Sequence, residues 1–263
     1  RFCRSGVDAS GFSLLFLVRF FMNTVLVEQQ EFVTHFTAQS VDWSRDAVMR
    51  KRSQALRYEV YCEECGFLDK GDYPQGLEAD DYDDHSAHFA ALNLRAELAG
   101  YVRLVRPDPI QTFPFQTHCV EVLDGVALPP AEQSGEISRL MVRQDYRRRV
   151  GDLPPSGAPG EAAVAAQVEN DRRSGSPQIL LSLYREMYAY SLDNNIRYGY
   201  AALERSLARA LVRMGFSFQQ IGPTTDYYGP VAPYVADLRV LEAKLAQNNP
   251  ALLAWMRNSN AAS

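Results

Sequence analysis

The sequence predicts an α/β domain with a mixed central sheet flanked by helices. Three observations carry that expectation. Apolar residues are 46% and charged residues 22% of 263 positions, which suffices for a sizeable core. Stripes with apolar residues three and four apart alternate along the chain with short runs of period two. Helices and strands interleaved in this way favour layers of helix on sheet over a bundle or a sandwich. No internal repeat interrupts the order.

Residues Val41 to Glu64 have helical spacing, with Val48, Ala55, Leu56, Val60 and Tyr61 on one face and Gly66 as the stop. Lys70 to Asp84 is acidic and rich in turn formers, hence a loop. His88–Leu94 and Leu98–Val105 read as strands around a turn at Arg95-Ala96-Glu97. Pro107 to Gln133 reads as a loop holding a short helix. In the strand expected at Glu136–Val142, strict alternation places Glu136, Ser138, Leu140 and Val142 on one face and Ile137, Arg139 and Met141 on the other.

Beyond that strand, Asp152 to Ser176 is rich in Gly, Ala, Pro and Ser and has no aromatic residue, so it reads as a flexible insertion. Pro177–Asn195 carries the stripe Ile179, Leu180, Leu183, Met187, Tyr190 and is a helix. A strand at Arg197–Leu203, a helix at Glu204–Met214, strands at Phe216–Ile221 and Val231–Leu238, and a helix at Leu241–Trp255 complete the order. The organisation expected is an N-terminal extension over residues 1–40 and one domain over 41–263, with the insertion at 152–176.

A net charge of −5 argues against a broad grip on nucleic acid. Four scattered cysteines suit a reducing, cytoplasmic setting better than a disulfide framework. Phe12 to Met22 is apolar but broken by Arg19, and a helix needs about 20 residues to span a bilayer. It reads as a helix that packs on the domain or a partner, or as a peripheral membrane contact. Cys62-x-x-Cys65 lacks a second ligand pair for zinc. Ser138 lacks the G-x-S-x-G elbow of a hydrolase.

Two segments concentrate the chemistry. Leu77-Glu78-Ala79-Asp80-Asp81-Tyr82-Asp83 packs acids around a tyrosine, and Gly135-Glu136-Ile137-Ser138-Arg139-Leu140 sets charges in an apolar run. Charges in such runs are paired or functional. Acylating an amine requires a group that takes the ammonium proton and donors for the oxygen of the tetrahedral intermediate. Glu136, Asp80 and Asp83 are the candidate bases, and Glu136 is preferred because it sits on a strand. Neighbouring carboxylates and burial would raise a pKa into the useful range. Arg57, Arg103 and Arg139 would pair with the acids. The same charges read equally as a buried network that only holds the loop.

Together with Arg57-Tyr58-Glu59-Val60-Tyr61 and Gly100-Tyr101-Val102-Arg103-Leu104, these motifs run R-x-x-x-Y, E-x-D-x-Y-D, G-x-x-R-L and E-x-S-R. In order and spacing they resemble the autoinducer-synthase branch of the GNAT-like acyltransferases: the acyl-homoserine-lactone synthases and the N-acyl amino acid synthases. The resemblance runs from about Val48 to Leu238. It implies a GNAT-like fold and a cleft built from Arg57, Phe67, Asp80, Asp83, Arg103, Glu136, Ser138 and Arg139. Tyr61 stands where those enzymes usually have Phe, and Phe67 where they usually have Trp. In a metal-site reading Asp80 and Asp83 would join His85 and His88, whereas the resemblance sets them on arginines, so no metal is expected.

The strand around Ala201 lacks the Thr that some lactone makers carry. The chain's length and its insertion resemble more the acyltransferases found beside exosortase/PEP-CTERM gene sets. The implied activity is N-acyl transfer of a long chain to the amine of an amino acid or related small molecule. Acyl carrier protein or coenzyme A would supply the chain, with no tightly bound cofactor. Arg147-Arg148-Arg149 would meet an acidic carrier protein. The alternatives are lactone synthesis and a non-catalytic GNAT-like module that binds acyl carriers.

Overall fold

Asn93 organises the turn on which the sheet is built. Its Oδ1 accepts from the main-chain N–H groups of Arg95 and Glu97, each at 2.9 Å. Ala96 there takes a left-handed φ of 58°. The turn joins β2 (Ser86–Asn93) to β3 (Leu98–Val105), whose residues are all buried. The computed structural model describes residues 35–106, 112–147, 178–213 and 216–258. The 152–176 segment, the apolar run Phe12–Met22, Arg148 and Arg149 lie outside the described residues.

The remaining strands are β1 (Phe36–Val41), β4 (Ser134–Val142), β5 (Tyr198–Glu204), β6 (Phe218–Gln220), β7 (Thr225–Asp226) and β8 (Pro230–Asp237). They form an 8-stranded sheet in the order β1-β2-β3-β4-β5-β8-β6, with β7 on β8. Every pairing is antiparallel except β4 with β5. Helices cover both faces: α1 (Ala47–Tyr58), α2 (Pro114–His118), α3 (residues 178–193), α4 (Arg205–Arg213), α5 (Leu238–Asn248) and α6 (Pro250–Arg257). On one face α1 buries Met49, Leu56 and the following Val60 against Trp43, Tyr101 and Met141. On the other, Ile179, Leu183, Leu245 and Leu252 pack on Phe89, Val102, Leu104 and Val142. A Cβ at Gly100 would stand 2.4 Å from Ile179 Cγ2, so a strand position without a side chain lets α3 lie directly on β3.

Several expectations change. Strand β1 pairs along its length with β2, so the sheet begins at Phe36, inside the segment read as an extension. Helix α1 starts only at Ala47, where the Asp46 side chain accepts from Met49 N–H. Its buried face is rotated: Val48 is 62% exposed, while Met49, Leu56 and Arg57 are buried. The single closing helix is two helices. Asn249 ends α5, its side chain caps α6 at Leu252 N–H, and Pro250, lacking an N–H, opens α6.

The largest change lies in β4. Gly100 and Tyr101 pair with Val142 and Met141, but Arg103, Leu104 and Val105 pair with Ser138, Ile137 and Glu136. One extra residue of β4 therefore stands opposite Val102, and Arg139 adopts φ 54°. This bulge breaks the alternation. Arg139 joins Glu136 and Ser138 on the α1 face, where Met141 also packs, while Ile137, Leu140 and Val142 face α3.

Candidate active site

Four elements deliver charge to one point under α1. Its last turn carries Arg57, β3 carries Arg103, β4 carries Arg139, and the loop before β2 carries Glu78, Asp80 and Asp83. Arg57 pairs with Glu78 and reaches Asp83 Oδ1 at 2.6 Å. Arg103 Nη1 pairs with Asp80 and with the same Asp83 oxygen at 2.6 Å. Arg139 Nη2 bridges Glu78 at 3.1 Å and Asp80 at 3.0 Å. Three guanidinium groups thus balance three carboxylates, which is what permits Arg57, Arg103 and Glu78 to be fully buried.

The loop is held to this geometry by its own main chain. Glu78 N–H donates to Gln54 O at 3.1 Å, Asp80 N–H to Asp83 Oδ2 at 3.0 Å, and Tyr82 N–H to Asp80 Oδ1 at 3.0 Å. His88 Nε2 donates to Asp83 O at 2.9 Å, and its Nδ1 accepts from Tyr101 OH at 2.6 Å. Both ring nitrogens are satisfied by a neutral imidazole, which stacks on Trp43 with centroids 3.6 Å apart. Burial drives the His88 pKa down to about 4, so the ring stays neutral.

The network settles the electrostatics of its acids. Burial alone would raise the Asp80 carboxyl, but Arg103, with Arg139 and Arg57, holds it at about 2. Against the same burial, Arg57 and Arg103 lower Asp83, and Arg57 and Arg139 lower Glu78. The mutual elevation expected of neighbouring Asp80 and Asp83 does not occur, because three cations outweigh it. These carboxylates are ionised anchors and poor proton acceptors near neutral pH.

Glu136 is different. It is 3% exposed, and its Oε2 accepts one hydrogen bond, from Phe115 N–H at 2.9 Å. With no ion pair among the described residues, burial lifts its pKa to about 8, a value suited to general acid–base work. Ser138 Oγ accepts from Arg103 Nε at 3.0 Å.

Beside Glu136 the sheet opens. β4 and β5 pair only at Ser134–Tyr198, Gly135–Gly199 and Glu136–Tyr200, although β4 runs on to Val142 and β5 to Glu204. The gap holds a cavity of about 230 Å³ that reaches both faces of the sheet, from Glu136, Ser138 and Arg139 to Leu140, Tyr184 and Leu211. An apolar cavity of about 60 Å³ shares Ile137, Tyr184, Leu211 and Phe218 with it. Among the described residues, main-chain groups of β4 that face the gap beyond Glu136 have no strand partner.

Residues 56–153 match the acetyltransferase (GNAT) domain family. No curated protein matches the sequence. Among solved structures, the AHL synthase LasI superposes with a TM-score of 0.54 at 17% identity, over 78% of this chain and 91% of LasI. The CoA-dependent acyl-homoserine lactone synthase BjaI, solved with SAM and isopentyl-CoA, gives 0.56 at 18% identity, over 86% and 99%. TofI, in a ternary complex with an inhibitor and MTA, gives 0.53 at 17% identity, over 82% and 99%. The fold is the GNAT fold.

Within this GNAT fold the site residues named from sequence divide into two sets. Glu136, Ser138, Arg139, Tyr61, Phe67 and Arg147 line the larger cavity. Arg57, Asp80, Asp83 and Arg103 stand behind it in the ion network and do not line it. Tyr61 comes from a π-helical stretch, Glu59–Glu64, that continues α1, and the Arg139 guanidinium lies 4.6 Å from its ring centroid. Arg147, expected to face a partner, is mostly buried and pairs with Glu64. Among the described residues no group of three or more His, Cys, Asp or Glu is arranged to hold a metal ion. Nor is any described helix long and apolar enough to cross a membrane.

Sequence reasoning missed four contributors. Glu78 lay inside the acidic motif but was passed over, although it is the acid that ties Arg57 to Arg139. Tyr227 and Tyr228 fall between the strands expected at Phe216–Ile221 and Val231–Leu238, and their doublet of aromatics was the available signal. The Phe115 N–H that holds Glu136 left no trace in the sequence, since any residue but proline supplies that donor.

Proposed function

We propose that this protein transfers an acyl group from a thioester donor to the amine of an amino acid or related small molecule, forming an amide. The observation that carries the reading is the parted β4–β5 pair. It sets a buried carboxyl with a pKa near 8 in the wall of the larger cavity, which shares Ile137 and Leu211 with the smaller apolar one. Glu136 accepts the proton of the acceptor ammonium. The amine nitrogen then attacks the thioester carbonyl, and the tetrahedral oxygen draws on the β4 main-chain N–H groups that face the gap beyond the last β4–β5 pair. Collapse breaks the C–S bond and expels the donor thiolate, which takes up the second proton shed by the amine nitrogen, and leaves the amide. The acyl chain lies in the apolar cavity beneath Ile137. Asp80 and Asp83 serve as anchors that hold Arg103 and so Ser138 in place.

For the donor we favour acyl carrier protein, with coenzyme A as the alternative. Arg148 and Arg149, with Arg147 tied to Glu64, supply the basic segment after β4 that an acidic carrier would meet. Alanine at position 201 on β5 supports an open amine acceptor over a lactone-forming one. The reading is tested with purified protein, a long-chain acyl carrier protein and a panel of amino acids. Carrier thiol is released only when the right amine is present, and mass spectrometry finds an amide. Amine-independent hydrolysis, or a homoserine lactone made from S-adenosylmethionine, would overturn it. Binding of acyl carrier without any turnover would support a non-catalytic module instead.

A further inference from the structure

Tyr228 holds a backbone conformation that a bulky side chain rarely adopts, with φ 56°, followed by Gly229 at 111°. The turn is closed by Tyr227 N–H to Gly229 O at 2.9 Å and Gly229 N–H to Asp226 Oδ1 at 3.2 Å. Neither bond uses a tyrosine ring, so turn chemistry gives no reason for two aromatics here. Both rings instead line the larger cavity. Tyr228 stacks on Phe67 at 5.4 Å and meets the Tyr61 ring at 5.9 Å. Tyr227 lies 4.7 Å from Tyr228, and His118 stacks on it at 3.9 Å. Strained backbone persists where the surroundings over-determine it, and such positions cluster at binding sites. Tyr61, Phe67, Tyr227 and Tyr228 thus form an uncharged wall of the cavity that Glu136 and Arg139 also line.

We propose that Tyr227 and Tyr228 select the acceptor, favouring an amine that carries a bulky uncharged side chain over one with a small or acidic side chain. This rests on the acyl-transfer reading of the same cavity. With the ammonium directed at Glu136, the acceptor's side chain meets the wall. That surface offers apolar contact, and the two described arginines that line the cavity are already engaged: Arg139 lies over Tyr61 and on Glu78 and Asp80, and Arg147 pairs with Glu64. A glycine would leave the wall uncovered. An acidic side chain would lose its hydration there without a partner.

The test uses the full chain, with L-leucine, glycine and L-glutamate as probes, in two measurements. Saturation-transfer NMR reads binding without turnover. Thiol release from a long-chain acyl carrier protein reads kcat/KM. The wild type should prefer leucine by at least about tenfold, the lower end of what a single apolar contact confers. Tyr228→Phe should keep that preference. Tyr228→Asn, which tolerates the left-handed backbone but removes the ring, should lose it through KM, with a thermal midpoint no lower than the wild type. Folded Tyr228→Asn with an unchanged order of preference would overturn the proposal. Should that variant not fold, Tyr227→Leu gives the same comparison, and retained preference there is equally fatal. Selective leucine binding without thiol release would sink the acyl-transfer reading and leave the role of the wall supported.

Discussion

Phe115 N–H donates to the Glu136 carboxylate over 2.9 Å, and no described arginine pairs with that carboxylate, although three arginines stand on the same face of the sheet. One neutral donor cannot offset the loss of water around a charge, so the carboxyl titrates near 8.

The first prediction follows from that value. A carboxyl whose folded pKa lies above its unfolded value binds more protons when folded, so stability declines as pH rises from about 4.5 to about 8. Glu136→Gln, always neutral, should match the wild type near pH 5 and be the more stable protein above pH 8. The gap should grow by at most about 1.4 kcal/mol per unit. In turnover the same variant should lose about 10²- to 10⁴-fold in kcat, and with it the rise of rate with pH. Parallel urea midpoints from pH 5 to 9 for the two proteins would remove the buried-carboxyl argument.

Acid should act on the ion network in the opposite sense. Asp80 titrates at about 2, and Asp83 and Glu78 are also lowered, so their contribution is complete above the ordinary carboxylate range and disappears as pH falls towards 2. Asp83→Asn leaves Arg57 and Arg103 sharing fewer anions in a buried site and should cost about 3–5 kcal/mol. Denaturant unfolding between pH 4.5 and 2, below the range in which Glu136 opposes it, measures both effects. A flat wild-type profile there would mean the network contributes nothing to folding.

Leu211 on α4 borders both cavities. Leu211→Trp should shorten the longest acyl chain accepted, at a cost of about 1–3 kcal/mol in stability from overpacking. Competition between donors of different chain length, read by product mass, checks this. Unaltered length preference would place the chain elsewhere.

Arg148→Glu with Arg149→Glu should slow association with an acidic acyl carrier protein and flatten its salt dependence, because rim charges act mainly on encounter. Activity with acyl-coenzyme A should change less. Stopped-flow rates across ionic strength decide the matter, and identical slopes would assign these arginines to solvent.

By itself, the sequence determined the elements and the chemistry they carry. Period-two runs gave β2, β3 and β4, because a strand with one or both faces in the core has its pattern written in neighbouring residues. The motif arginines and acids were legible for a similar reason: charges in apolar runs must find partners. Tertiary structure decided what depends on residues far apart. The bulge that brings Arg139 beside Ser138 exists because β3 pairs out of step along β4, a register no single strand encodes. The divergence of β4 from β5, paired at three positions only, lies between two strands more than fifty residues apart, which no local pattern encodes. The same holds for protonation. Asp80, Asp83 and Glu136 are all carboxylates in polar motifs, and only the folded arrangement gives arginines to the first two and, among the described residues, a backbone N–H to the third.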